Sequence, residues 1–380
     1  MPSAVPIRLL TAVPICDGHD SAINTINLEL IRHGIEVIYL GYHRSARDIV
    51  RAAIQEDAAA IGISSYNGGH VEFFGEVIER LRRSGAGDIG VFGGGGGTIS
   101  HADAKVMRRK GVDRIFFAGT PLDEMVAFLR TTYGRPRKRN AGREPKRDKD
   151  RDRRLGRLLS AIESGNDSPR RAARSGVKPR TIGITGPGGA GKTTLIDELV
   201  LRCLRSNPSA RIAILSHDPS IIGTGALLGD RATMIYSQDD RVFMRSFATR
   251  GQAGGLSRTT RACLEALRDE FDFVFVETVG IGQESAPFDK REVDRTVFVM
   301  SPEYGSRLQL QKIVMLDVAD VVVVNKGDLP GAPTALAEVR QRLAGSERRQ
   351  SLVGTIASRH GDAGVDEVLR LVTVNGGSEP

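Results

Sequence analysis

The sequence has few cysteines and no long apolar run, and each shortage excludes a class of protein. Its three cysteines, Cys16, Cys203 and Cys263, lack C-x-x-C spacing, so neither a disulfide framework nor a cysteine zinc site is predicted. No apolar stretch approaches the roughly 18 residues that a membrane span needs. The N-terminus also lacks the charged, apolar and small-residue layout of a signal peptide. We therefore expect a cytoplasmic protein with no membrane partner.

An excess of positive over negative charge is confined to one segment, although the formal net charge is +8 over 380 residues. Residues 135–157 hold twelve Lys and Arg against four Asp and Glu, an excess of eight, so the rest is close to neutral in sum. We therefore do not expect a nucleic-acid partner. The segment itself is expected to be a solvated tether, with a partner or RNA contact through its arginines as the alternative.

This charge distribution also suggests how the chain is divided. We predict a first domain at 1–134, a basic linker at 135–179 with a helix at 155–163, and a second domain at 180–380.

In the first domain, apolar runs alternate five times with amphipathic runs. They predict strands at 7–13, 36–40, 59–64, 89–92 and 114–117, and helices at 23–33, 46–55, 71–82, 102–109 and 122–131. Five such β-α units predict a parallel sheet covered by helices on both faces. Ligands of such sheets bind at the carboxyl ends of the strands.

Three loops at those strand ends have unusual composition. The first contains Asp17 and His19, a spacing that allows the carboxylate to accept a hydrogen bond from the imidazole and fix its tautomer. The second begins with Ser64 and Ser65. The third is the glycine run 93–97, which is suited to backbone freedom or to close approach of a flat or bulky group.

Asp17-Gly18-His19, Ser64-Ser65 and Gly93-Gly94 together resemble the D-x-H-x-x-G, S-x-L and G-G signature of cobalamin-binding domains. The resemblance implies a flavodoxin-like (βα)5 fold with His19 as the cobalt ligand in place of the cofactor's own benzimidazole. It also implies a slot for the displaced nucleotide tail, lined by the serine and glycine loops. Ala22 stands where the family has glycine and Tyr66 where it has leucine, changes that we expect to narrow the slot without closing it.

The second domain begins with a phosphate-binding pattern. Residues 186–193 match G-x-x-x-x-G-K-T between an apolar run and a helical run, the context that a P-loop requires. Backbone N–H groups and the helix N-terminus favour phosphate there. We expect Lys192 to contact the β- and γ-phosphates as a catalytic residue and Thr193 to bind Mg²⁺. The predicted nucleotide-binding residues of this loop are Gly186, Gly188, Gly189, Ala190, Gly191, Lys192, Thr193 and Thr194.

Acidic residues follow two further predicted strands of this domain. Asp218 and Glu277 are expected on the edge of the sheet that holds the P-loop, where Mg²⁺ needs hard oxygen ligands. Asp230 is a third candidate. A helix-capping role is the alternative for each of them.

The nucleotide base is indicated by Asn325-Lys326-Gly327-Asp328, which follows the apolar run 321–324. The carboxylate of an N-K-x-D motif accepts from guanine N1–H and from the N2 amino group, two donors that adenine does not offer together. Each such bond contributes roughly 1.5–3 kcal/mol, so two give on the order of 10²- to 10⁴-fold preference for GTP.

The second domain resembles the GTPase chaperones that serve adenosylcobalamin mutases, on the segments 225–231, 277–283 and 354–358. The resemblance implies that Asp218, Asp230 and Glu277 surround Mg²⁺, and that Ala357 and Ser358 lie against the guanine. It further implies that 304–312 reports the nucleotide state to the mutase. Within the second of these segments, Gln283 is the residue we expect to orient the attacking water.

The order of the two domains is similar to the front part of fused isobutyryl-CoA mutases. This implies a cobalamin-binding subunit fused to a GTPase chaperone, using adenosylcobalamin, GTP and Mg²⁺ in an acyl-CoA carbon-skeleton mutase. We expect a separate substrate-barrel subunit, because no barrel of roughly 250 residues follows. Hydrolysis is expected to gate cofactor loading and to be slow without a partner, since no arginine finger is evident. A homo-oligomer through the GTPase domain is also expected.

Two alternatives remain open. One is a cobalamin sensor or storage protein with a regulatory GTPase. The other is a GTPase metallochaperone whose first domain binds no corrin.

Overall fold

The computed structural model describes residues 6–15, 17–134, 151–165, 179–221, 224–268, 270–280, 287–289, 292–304, 313–346 and 348–373. The chain forms two compact units, and neither is continuous in sequence. The first comprises 1–168, 219–232 and 244–251, and the second comprises 169–218, 233–243 and 252–380. Two segments of the predicted second domain, 219–232 and 244–251, thus group with the first unit.

Strands and helices alternate along most of the described chain. The strands are β1 Arg8–Ala12, β2 Glu36–Tyr39, β3 Ala60–Ser64, β4 Gly90–Gly94, β5 Arg114–Phe116, β6 Arg180–Thr185, β7 Ile212–Asp218, β8 Ala226–Leu228, β9 Val242–Ala248, β10 Phe273–Glu277, β11 Arg295–Met300, β12 Val321–Val324 and β13 Ser351–Gly354. The α-helices are α1 Ser21–Arg32, α2 Ala46–Gln55, α3 His70–Arg83, α4 His101–Lys110, α5 Leu122–Tyr133, α6 Arg151–Glu163, α7 Lys192–Ser206, α8 Thr260–Leu267, α9 Met315–Val318, α10 Ala332–Ala344 and α11 Ala363–Thr373. No helix among the described residues combines the length and apolar character that a membrane crossing requires.

The first unit is built on a parallel sheet with the strand order β5-β4-β3-β1-β2-β8. The predicted parallel (βα)5 fold is therefore confirmed. The sequence analysis did not predict the sixth strand, β8, which comes from the later half of the chain and pairs with β2 from Glu36 to Ile38.

Both faces of this sheet are covered by helices. Leu9 and Leu10 are neighbours in β1 and point to opposite faces, and they belong to different apolar clusters. The Leu10 cluster contains residues of α2, α3 and α4, and the Leu9 cluster contains residues of α1 and α5. Burial on both faces explains why the strands are almost continuously apolar.

Helix α6 packs on α2 within the first unit and includes the stretch 155–163 in which the apolar spacing predicts a helix. A Cβ at Gly156 would lie 2.7 Å from the Ile54 carbonyl oxygen, so the close approach of the two helices requires glycine there. The remaining parts of the predicted linker, 135–150 and 166–178, lie outside the described residues.

Buried charges connect distant parts of the first unit. We call the side chains of Arg8, Glu36, Glu56, Glu163, Arg231 and Arg245 the buried charge cluster, since each is at most 6% exposed. The Glu56 carboxylate accepts from Arg8 Nη2 at 2.8 Å and from Arg231 Nη1 at 3.0 Å. The Arg245 guanidinium donates to Glu163 at 2.5 Å. Burial raises the pKa of Glu163, but the surrounding arginines outweigh burial and hold that pKa below its ordinary value.

The second unit contains the strand order β13-β12-β11-β6-β10-β7-β9. Neighbouring strands from β13 to β7 are parallel. Val242 and Phe243 of β9 belong to this unit, and the rest of that strand groups with the first. The chain therefore contains two parallel α/β sheets, as the sequence predicts.

Candidate functional site

His19 and Asp17 form a pair in the loop after β1. The Asp17 side chain is fully buried, and its Oδ1 accepts from the backbone N–H of His19 at 3.0 Å and from Nδ1 at 2.8 Å. The His19 side chain is 62% exposed. A carboxylate at Nδ1 favours the tautomer with its proton on that nitrogen, which leaves a lone pair on Nε2. The imidazole is thereby prepared for metal ligation.

Asp17 also joins this loop to the loop after β3. Its Oδ2 accepts from the backbone N–H of Tyr66, in a short contact, and from that of Asn67 at 3.2 Å. Burial raises the pKa of Asp17, but these hydrogen bonds and those from His19 outweigh burial, so its pKa lies below the usual value. The carboxylate is therefore anionic where it holds the imidazole.

The serine and glycine loops meet at the same edge of the sheet. Ser64 pairs with Gly94 across β3 and β4, and the Ser65 N–H donates to the Gly94 carbonyl at 2.9 Å. Ser64, Gly93 and Gly94 line a mostly apolar cavity of about 190 Å³. Ser65 is buried behind them, and its hydroxyl lies 3.5 Å from the Asn67 carbonyl. An apolar cavity lined by these two loops, together with an oriented imidazole in the loop after β1, is a combination that fits a corrin with a displaced tail.

The P-loop connects β6 to α7 in the second unit, and glycine is required at two of its positions. Gly186 has φ +146°, and a Cβ there would lie 1.9 Å from the Val299 carbonyl oxygen. Gly191 has φ +89°, and its Cβ would lie 2.3 Å from Asn325 Nδ2. The loop can therefore lie this close to its neighbours only without side chains.

Lys192 and Thr193 begin α7. Lys192 is buried, and its Nζ donates to the Pro187 carbonyl at 3.3 Å across the loop. The Thr193 hydroxyl donates to Glu277 Oε1 at 2.7 Å. Asp218 ends β7, beside the strand that ends with Glu277. A hydroxyl and two carboxylates at one sheet edge form an oxygen donor set that fits Mg²⁺.

His217 is a residue of this edge that the sequence analysis missed. Its buried ring bonds to the Glu277 carbonyl through Nδ1 and to the Thr260 hydroxyl through Nε2, both at 2.8 Å. It thus ties the ends of β7 and β10 together. Asp230, the third predicted magnesium ligand, belongs to the first unit, where it begins a short 3-10 turn.

Asn325 links the predicted guanine site to the P-loop. Its Nδ2 donates to the Ala190 carbonyl at 2.9 Å, while its Oδ1 accepts from the Thr355 hydroxyl at 3.0 Å and from the Ala357 N–H at 2.9 Å. Lys326 follows with φ +59°, a left-handed turn. Three of the predicted segments, 186–193, 325–328 and 354–358, are thereby brought together.

The other predicted nucleotide residues differ in how far the structure describes them. Gly188, Gly189, Thr194, Asp328 and Ser358 are exposed. The Tyr304 hydroxyl lies 3.5 Å from the Gly188 carbonyl. Gln283 and residues 305–312 lie outside the described residues, so their predicted roles remain predictions.

Comparison with known proteins gives a family match for each half of the chain. The family model of the methylmalonyl-CoA mutase-associated GTPase MeaB matches residues 168–374, more than half of the chain. The chain belongs to the MeaB family. The B12 binding domain model matches residues 7–126. This MeaB-family chain therefore combines a B12-binding domain with a GTPase domain, as the sequence analysis predicts.

The curated relatives include longer proteins. The fused isobutyryl-CoA mutase of Cupriavidus metallidurans is 39% identical over 392 residues, covering 96% of this chain and 36% of that protein. The protein of the same name from Geobacillus kaustophilus is 37% identical over 389 residues, with the same coverage of 96% and 36%. The MeaB-family chain thus spans about a third of these relatives. Among solved structures, the hydrogenase maturation factor HypB of Archaeoglobus fulgidus is similar over 51% of this chain and 88% of that chain, at 18% identity and a TM-score of 0.39.

Proposed function

We propose that this chain carries adenosylcobalamin and hydrolyses GTP for an acyl-CoA carbon-skeleton mutase of the isobutyryl-CoA or methylmalonyl-CoA type, acting with a separate substrate-barrel subunit. The observation that carries the proposal is the buried Asp17 carboxylate on Nδ1 of an exposed His19, in the same chain as a complete P-loop. Similarity over 96% of the chain to 36% of a fused isobutyryl-CoA mutase supports the partnership. The domain limits 1–134, 135–179 and 180–380 are part of this proposal.

On the corrin side, His19 Nε2 is the proposed cobalt ligand and Asp17 keeps the ring in the ligating tautomer. Ser64, Gly93 and Gly94 line the cavity proposed for the nucleotide tail, and Ser65 holds its loop against β4. When bound, adenosylcobalamin supplies radical chemistry.

On the nucleotide side, Lys192 is proposed to exchange its bond to the Pro187 carbonyl for the β- and γ-phosphates of GTP. Thr193, Asp218 and Glu277 are the proposed magnesium ligands, and the predicted role of Asp230 in this site stays a prediction. Asp328 is proposed to accept from guanine, with Ser358 beside the base. Water attacks the γ-phosphate and GDP leaves, and Gln283 is proposed to orient that water.

GTP hydrolysis is proposed to switch the complex between a cofactor-loading state and a closed catalytic state. Such a switch requires contacts that differ between the GTP and GDP states. Homo-oligomerisation through the GTPase domain is a further part of the proposal.

The decisive experiment is titration with adenosylcobalamin, followed by the visible spectrum. The wild type is expected to give the spectrum of cobalamin with a histidine axial ligand, and His19→Ala is expected to lose it. An identical spectrum in the two proteins would disprove the ligand assignment. A wild type that binds no cobalamin would favour the GTPase metallochaperone.

The nucleotide half is tested by comparing GTP and ATP hydrolysis with and without Mg²⁺. Wild type is expected to prefer GTP, and Asp328→Asn is expected to lose most of that preference with its unfolding temperature unchanged. Equal use of both nucleotides by the wild type would contradict the guanine assignment. Affinity isolation from the source cells should recover a substrate-barrel subunit; its absence would favour a cobalamin sensor.

A further inference from the structure

Tyr66, which stands where the cobalamin-binding signature has leucine, packs its ring on the ring of His19. The two ring centroids lie 4.9 Å apart, with 37° between the ring planes. This is within the range of favourable offset contacts between aromatic rings. The Tyr66 side chain therefore contacts the proposed cobalt ligand itself.

The backbone of the glycine run leaves room for this ring. Gly96 has φ +51°, and a Cβ built there would lie 2.4 Å from Tyr66 Cε2 and 2.5 Å from Cδ2. Any side chain at this position would collide with the ring. The Tyr66 ring is thus confined by Gly96 as well as by His19, which points to a defined position for the ring.

Tyr66 reaches the ligand by two separable routes. Its backbone N–H donates to Asp17 Oδ2, and Asp17 in turn accepts from His19 Nδ1. Its ring contacts the imidazole directly. Because every residue except proline supplies a backbone N–H, substitution of Tyr66 removes the second route and retains the first.

The ring has no other evident use among the described residues. The residues that line the neighbouring cavity include Ser64 and residues 93–96 but not Tyr66. The residue is 46% exposed, and its hydroxyl makes no hydrogen bond to a described residue. An ordinary slot-lining role, which the leucine of the signature suggests, therefore does not explain its position.

We propose that Tyr66 is a positioning residue that fixes the plane of the His19 imidazole before the corrin binds. The hydrogen bond at Nδ1 fixes one atom of an exposed ring and leaves the ring free to rock about that bond. The Tyr66 ring packed against the imidazole restricts this motion, so the imidazole loses less conformational freedom when the corrin binds. The inference rests on the proposed function in that it takes His19 as the ligand.

The expected effect follows from the size of an aromatic pair contact. Loss of such a contact corresponds to about a two- to tenfold weaker affinity for adenosylcobalamin. Tyr66→Leu is expected to show this loss together with a larger fraction of bound cobalamin that lacks the histidine ligand. Tyr66→Phe keeps the ring and is expected to match the wild type.

The experiment uses the full chain with two readouts. In the cofactor-free protein, the NMR resonances of the His19 ring protons report the ring current of Tyr66, and we expect them to move in Tyr66→Leu but not in Tyr66→Phe. Adenosylcobalamin titration then gives affinity and spectrum. Gly96→Ala is expected to behave as Tyr66→Leu. Gly97→Ala is its matched control, since Gly97 has φ +98° but nothing within 4 Å of its Cβ.

The outcomes separate this inference from the proposed function. Unchanged His19 resonances in Tyr66→Leu, or an affinity and spectrum equal to those of the wild type, would overturn the inference while leaving the cobalamin proposal standing. A wild type that binds no adenosylcobalamin would overturn the proposed function, and the NMR comparison would still decide whether the Tyr66 ring orders His19. A Tyr66→Phe variant as impaired as Tyr66→Leu would also overturn the inference about the Tyr66 ring.

Discussion

Replacing Glu56 by glutamine is expected to destabilise the first unit strongly. The Glu56 carboxylate is fully buried and accepts from Arg8, from Arg231, and from both the backbone N–H and the hydroxyl of Ser246. Glutamine keeps the shape of the side chain but removes its charge. It also turns one accepting oxygen into an NH₂ group that faces these donors.

The magnitude follows from the balance of the buried charge cluster. Three carboxylates, on Glu36, Glu56 and Glu163, face three guanidinium groups that are equally buried. Removing one partner of a buried ion pair leaves an uncompensated charge and costs about 3–5 kcal/mol. For a domain of about 150–250 residues, each kcal/mol corresponds to about 2–4 °C, so the unfolding temperature is expected to fall by about 6–20 °C.

Thermal unfolding by circular dichroism and calorimetry measures this effect. The matched control is Glu76→Gln, because Glu76 pairs with Arg80 at 2.7 Å while both side chains are more than 40% exposed. That change is expected to cost less than about 1 kcal/mol. Adding Arg231→Met to Glu56→Gln is expected to recover part of the loss. Equal unfolding temperatures for Glu56→Gln and Glu76→Gln would refute the assigned role of charge compensation.

Three further predictions concern the second unit. Asn325→Ala removes the amide that links the P-loop to 355–358, so GTP affinity measured by fluorescence titration is expected to fall at least about tenfold; an unchanged affinity contradicts this role. Burial raises the pKa of Asp197 to about 6, because it outweighs the backbone hydrogen bonds that lower this pKa. The protonated Asp197 side chain therefore contributes most to the free energy of unfolding below about pH 4, and this contribution is lost as the pH rises through about 6. As the pH is lowered from 7.5 to 5, the unfolding temperature of the wild type should therefore rise relative to that of Asp197→Asn. A difference between the two proteins that does not change with pH refutes this. Cys203 and Cys263 are buried, and burial raises the pKa of the Cys203 thiol to about 12, so neither should react with a thiol reagent before unfolding. Rapid modification of either of these two residues in the native protein, located by peptide mapping, contradicts this.

The sequence predicts the parts of this molecule that depend on local pattern. Apolar runs at strand length, separated by amphipathic helices, predict a parallel sheet, and in such a sheet all loops at the carboxyl ends meet at one edge. The meeting of the loops after β3 and β4 follows from this placement, and the hydrogen bond between Asp17 and His19 follows from their spacing in one loop. The P-loop was equally predictable, because its glycines are required by the close approach of the backbone to neighbouring groups.

Side-chain directions at strand ends and in loops were not predictable in this way. His217 precedes a predicted magnesium ligand, yet its ring turns to the Glu277 carbonyl and the Thr260 hydroxyl. Tyr66 was expected to narrow the slot for the nucleotide tail, whereas its ring lies on His19. Both orientations depend on partners 40 or more residues away, which a pattern of neighbouring residue types does not contain.

The segments 219–232 and 244–251, which group with the first unit, show the same limit for charged residues. Arginine is a residue type that usually lies at the protein surface, and burial of Arg231 or Arg245 without a partner would be strongly unfavourable. The carboxylates of Glu56 and Glu163 are buried opposite these two guanidinium groups and compensate their charge. Burial of either partner is therefore favourable only when the other partner is buried with it. Since Glu56 and Arg231 are 175 residues apart, this compensation exists only in the folded chain. Charge pairing therefore favours the grouping of 219–232 and 244–251 with the first unit, although their positions in the sequence suggest the second.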